Sequence, residues 1–79
     1  MNIIINHKQC KAARALLDWN QDILSEKVGV AKSTIGDFER GVRNLRIETM
    51  QKLVGIFTNN GIRFESDNDR ILVELKSLK

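Results

Sequence analysis

Nucleophilic catalysis in this chain would have to run through His7 and Cys10, its single histidine and single cysteine. With no tyrosine and no glycine-rich phosphate loop, they leave no pairing of a nucleophile with a base. Nor do His, Cys and carboxylates gather at metal-ligand spacing. We therefore expect no enzyme, no cofactor and no metal. His7 reads as an exposed residue in the first turn of a helix, and Cys10 as core packing on that helix's apolar side. What remains is polar recognition. Thirteen Lys and Arg against ten Asp and Glu give a net charge of +3. Residues 1–58 hold the whole excess, nine basic against six acidic, whereas residues 59–79 carry four of each. This is the distribution of a domain facing a polyanion, followed by a neutral tail.

The elements that position these residues must come from one small domain. A chain of 79 residues buries only roughly 60% of its unfolded surface, so a partner or second copy would help it fold. No apolar run approaches the ~18 residues that span a membrane. Residues 1–5 hold three isoleucines but no basic region or cleavage site, which argues against a signal peptide. The lone cysteine excludes an internal disulfide and points to a reducing cytoplasm. The absence of proline, with only five glycines, speaks against disorder or long linkers.

Asn6 is placed to cap a first helix over residues 7–17, with Cys10, Ala13, Leu16 and Leu17 at helical spacing. Asp18 stops it, Trp19 plugs the junction, and Asn20 caps a second helix over 21–28 with Ile23, Leu24 and Val28 on one face. Gly29 supplies the positive φ of the next turn. A third helix, 32–39, buries Ile35 and Phe38 and stops near Gly41; Arg40, Arg43 and Arg46 punctuate the loop that follows. A fourth helix, 47–58, repeats apolar residues at Ile47, Met50, Leu53, Val54 and Phe57 until Asn59, Asn60 and Gly61 end it. The period then falls to two. Ile62 and Phe64 alternate with Arg63 and Glu65, and Ile71, Val73 and Leu75 with Arg70, Glu74 and Lys76. The turn-rich residues 66–69 between them predict a β-hairpin over 62–76. The competing assignment is a short fifth helix over 70–78.

Residues 21–40 have the layout of a helix-turn-helix. Two short helices that cross steeply need a small residue at their contact, and Ser25 is there. The turn needs left-handed geometry, and Gly29 follows four positions on. Leu24, Val28, Val30, Ile35 and Phe38 fall where the helices face one another. Residues 12–48, through the words AARALLDWNQ (12–21), GVAKSTI (29–35) and ERGVRN (39–44), resemble the phage repressor and Cro-type family, also called the xenobiotic-response-element family. The similarity covers residues 7–58 and extends loosely into 61–64. It implies a four-helix, lambda-repressor-like fold that is mainly α, with the third helix in the major groove of DNA.

Carried over position by position, the resemblance places Lys32, Ser33 and Asp37 at base edges. Lys can donate to guanine, Ser can donate or accept, and Asp can accept from a cytosine amine. It places Gln21, Thr34, Arg43 and Arg46 at the DNA backbone, Gln21 together with the N-terminal amides of its helix. Arg14 and Glu39 match a partly buried salt bridge between the first and third helices.

The chain departs from the family pattern at five places. Asp37 is one, a carboxylate at the groove that phosphates repel unless a cytosine amine receives it. Asp18 stands where glycine is usual, Ala31 where Ser or Thr caps the third helix, Leu45 where proline is common, and Gly36 lies inside the third helix. Gly36 is open to two explanations, a close approach of DNA or drift in a marginal helix. The organisation expected is a DNA-binding domain over 1–61 and a hairpin or tail over 62–79 that builds a homodimer. The expected function is that of a repressor on a palindromic operator in double-stranded DNA. The alternative is an antitoxin-type module whose tail engages a partner protein such as a toxin. Neither involves a membrane.

Overall fold

The computed structural model describes residues 4–67 and 69–76. Four helices precede two strands: α1 (His7–Leu16), α2 (Gln21–Val28), α3 (Lys32–Glu39), α4 (Ile47–Asn59), β1 (Ile62–Ser66) and β2 (Ile71–Leu75). The chain is thus mainly helical, with a C-terminal antiparallel hairpin. The fifth-helix alternative fails at Ile71–Leu75, which pairs with β1 in a register that sets Ile62 opposite Leu75 and Ser66 opposite Ile71. The turn explains why. Asp67 Oδ1 accepts from the amides of Asp69 and Arg70 at 2.9 and 3.0 Å, and the Asp67 amide donates to the Arg70 carbonyl at 2.9 Å, which turns the chain back along β1. The bonds to Oδ1, that from Asp69 first, hold the Asp67 carboxyl below its ordinary range. Residues 1–3 of the expected first domain, Asn68 of the turn and residues 77–79 of the tail lie outside the described residues.

Local chemistry sets the helix ends. Asn6 and Gln9 form a reciprocal cap on α1: Asn6 Oδ1 accepts from the Gln9 amide at 2.8 Å, and Gln9 Oε1 from the Asn6 amide at 3.0 Å. α1 closes at Leu16, with Leu17 as its cap, because Asp18 takes φ 59° and turns the chain aside. Aspartate tolerates that left-handed geometry better than most residues. Asn20 caps α2 through a 2.8 Å bond from the Ile23 amide, and Gly29 ends it at φ 85°. The Ala31 side chain makes no cap on α3.

Leu24, Ile35, Leu53 and Phe57 are fully buried where α2, α3 and α4 meet. Ile62 joins the same core, and Phe64 and Val73 pack against it, so the hairpin closes over apolar surface that the helices leave open. Trp19 stacks on Phe57 with ring centroids 6.0 Å apart, and Phe57 meets the edge of Phe64 at 5.9 Å. This aromatic row runs from the α1–α2 junction through α4 into β1.

A single carboxylate ties the first three helices together. Glu39 is 2% exposed and each of its oxygens accepts twice. Oε1 receives Arg14 Nη2 at 2.8 Å and Gln21 Nε2 at 3.0 Å. Oε2 receives Arg14 Nε at 2.8 Å and the Cys10 thiol at 3.3 Å. Arg14 Nη1 donates onward to the Trp19 carbonyl at 2.9 Å. Burial alone would push the Glu39 carboxyl up; the bonds from Arg14, Gln21 and Cys10, with the charge of Arg14, reverse this and leave it below the ordinary range. The Cys10 thiol is driven far upward, by burial first and then by the charge of Glu39.

Removing one partner of such a pair leaves the other uncompensated. Glu39→Ala should therefore cost about 3 kcal/mol of unfolding free energy in urea, and Glu39→Gln less. Because the folded carboxyl is depressed, its contribution is complete above the unfolded pKa and is lost as pH falls through the folded one. Urea titrations from neutral to acid pH should show a shallower acid loss in Glu39→Gln than in the wild type.

Candidate nucleic-acid interface

α3 has two faces with different duties. Ile35, Phe38 and Glu39 are buried, which turns the opposite side of the helix outward. At about 100° per residue, Ser33, Asp37 and Arg40 fall within an arc of roughly 60° on that outward side. Lys32 and Gly36 border the arc on one flank, and half-buried Thr34 on the other. Of the three residues expected at base edges, Ser33 and Asp37 share the centre of the face. Lys32 sits at its margin, with Nζ 3.5 Å from Asp22 of α2. Arg40 follows α3 directly, as expected, but its backbone keeps αR geometry. It is the C-cap of α3, and its guanidinium pairs with Asp37. The signal for this was the i, i+4, i+7 series 33–37–40, which acquires meaning only if the helix reaches its cap.

The residues expected at the DNA backbone are held in different ways. Gln21 begins α2, and the Glu39 bond takes one of its two amide hydrogens, leaving the other and the helix N-terminus outward. Arg43 and Arg46 are exposed, and among the described residues no carboxylate pairs with either. Arg46 is also the N-cap of α4, beside the unsatisfied amides of that helix's first turn. Arg14, by contrast, is spent inside the protein, with Nε, Nη1 and Nη2 all donating to Glu39 or Trp19.

One expectation needs correction, and the burial of Gly36 bears on a question left open. His7 is half-buried, not exposed. Its ring lies against Gly41, Nε2 being 3.4 Å from where a Cβ on that residue would stand, and buried Nδ1 has no hydrogen-bond partner. Gly36, in turn, is not an open strip of backbone for DNA to approach. It is buried, with the Gln21 Oε1 and Arg40 Nη1 atoms 3.4 and 3.6 Å from where a Cβ would be. Those are ordinary contacts, so a methyl group fits there. Gly36→Ala should raise the unfolding free energy by about 0.5–1 kcal/mol through helix propensity alone, measured by urea denaturation.

Residues 11–57, more than half of the chain, match the family model described as helix-turn-helix. No curated protein matches the chain significantly. Among the described residues no helix is long and apolar enough to cross a membrane, and no three His, Cys, Asp or Glu residues come together to hold a metal ion. The matched span runs from within α1 nearly to the end of α4 and contains the whole Glu39 network except Cys10. The chain belongs to the Cro/repressor-type helix-turn-helix family of DNA-binding transcriptional regulators.

Proposed function

We propose that this protein is a sequence-specific repressor that binds a palindromic operator as a homodimer. The observation that carries this reading is the division of α3: a buried side locked by Glu39 and a polar outward side with no packing role. Lys32 and Ser33 then meet base edges, and Asp37 faces the same groove. Gln21, Thr34, Arg43 and Arg46 hold the flanking phosphates. The cytoplasm, where a lone buried thiol stays reduced, is the compartment that fits.

The dimer reading rests on the hairpin. β1 and β2 form a sheet of two strands, and Ile71 and Leu75 stay about two-fifths exposed at 42% and 41%. An isolated strand edge with apolar neighbours favours pairing with a second copy across a two-fold axis. Two α3 helices related by that axis would enter successive major grooves about 34–36 Å apart. The same exposed residues also support the second reading, a hairpin that holds a partner protein.

Selection from random duplex DNA at two salt concentrations, with sedimentation of the free protein, tests both. The expected result is a dimer at micromolar concentration and an enriched palindrome with half-sites one helical turn apart. Replacing Arg43 or Arg46 by Ala should reduce the slope of log affinity against log salt by about 1 per phosphate contact removed, without changing the motif. A monomer that binds every sequence alike would defeat the repressor reading and leave the partner protein as the one to pursue.

A further inference from the structure

Asp37 presents a physical difficulty that the outward face itself resolves. A free carboxylate pushed into a groove walled by phosphates is repelled, and only a cytosine amine would receive it. Here the carboxylate is already occupied by the guanidinium of Arg40, three residues on along the same face. We propose that Arg40 is a base-reading residue whose target is guanine, and that Asp37 acts through it, as the residue that positions the guanidinium. The inference rests on the DNA-binding reading above and deepens it.

Four observations carry it. Arg40 stands within the same outward arc as Ser33 and Asp37, whereas Lys32, the other cation on the helix, stands at its margin beside Asp22. The Arg40 side chain is 66% exposed and that of Asp37 32%, so the arginine is the outer member of the pair and reaches a ligand first. The bond to Asp37 engages Nη2, leaving the other N–H groups of the fork for the O6 and N7 acceptors of guanine. Behind it, Nη1 lies 3.6 Å from where a Gly36 Cβ would stand, so helix and carboxylate together hold a side chain that otherwise loses considerable rotamer freedom on binding. The pair is close to neutral, which removes the repulsion that a lone Asp37 would bring. From Ser33 to Arg40 the helix rises roughly 10 Å, about three base steps. The guanine therefore lies apart from the bases that Lys32 and Ser33 reach.

The test is selection from random duplex DNA with the wild-type chain and with Arg40→Ala, Arg40→Lys, Asp37→Asn and Asp37→Ala, each first checked by its melting temperature. The wild type should enrich one G·C pair in each half-site with roughly tenfold or greater discrimination. Arg40→Ala should bring that column to near indifference and leave the others standing. Arg40→Lys should recover affinity but not the discrimination, since an ammonium cannot make the bidentate contact. Both Asp37 variants should weaken the same G·C column and no other, an effect that a merely structural role would not produce. A wild-type motif that survives Arg40→Ala intact while affinity falls uniformly would make Arg40 a phosphate contact and overturn the proposal. So would Asp37 variants that alter a separate cytosine column, because Asp37 would then read a base itself. If the wild type enriches no motif, the repressor reading fails and this inference falls with it.

Discussion

The geometry of the whole helical unit depends on one buried negative charge. Taking a carboxylate out of water costs several kcal/mol unless its lone pairs are filled, and Glu39 fills them with donors from two other helices. Arg14 and Cys10 come from α1 and Gln21 from α2, so α3 cannot rotate about its axis or slide without breaking several bonds together. Hydrophobic packing by Ile35 and Phe38 keeps α3 in contact with the core, but such packing is tolerant of direction. The directional bonds to Glu39 are what fix which side of the helix looks outward. The restraint then travels further, because Arg14 also grips the Trp19 carbonyl and Trp19 leans on Phe57.

The hairpin enters this arrangement as a covering piece. Two strands alone are marginal in water, and these two gain support from Ile62 in the shared core and from Gln9 of α1, whose Nε2 donates to the Glu65 carbonyl at 3.4 Å. Its outer face is polar, with Arg63 bonded to both Glu65 and Glu74. These exposed ion pairs add little to stability; they keep that face wet, whereas Ile71 and Leu75 lie at the two ends of the opposite face, in register with Ser66 and Ile62.

Much of the fold could be read from residue spacing, because its determinants are local. The limits of α2 and α3 follow from Asn20, Gly29 and the apolar residues between and after them, and the change from helical to alternating period at Gly61 announces the hairpin. Features that depend on three elements at once were not visible. His7 looked like a surface residue because nothing near it in the chain reveals that Gly41 will leave a flat place for its ring. Gly36 is open to two explanations in the sequence because the side chains that cover it come from the start of α2 and the cap of α3. Arg40 follows the third helix as its spacing predicts, but its helical relation to Ser33 emerges only because the cap keeps αR geometry. Cys10 was placed in the core by its position in the apolar stripe, but its bond to a charge far along the chain has no periodic signature.

The division of α3 also bears on how such a protein can change over time. Every contact that maintains the shape of the unit leaves α3 from its inner side, and the outer residues Ser33, Asp37 and Arg40 are answerable only to one another and to solvent. Substitutions there break no bond to the core, so their effect on folding is small. A lineage carrying this scaffold can therefore exchange one set of outward side chains for another and acquire a new preference with its stability intact. A single change at Glu39, by contrast, loosens the joints among α1, α2 and α3 at once.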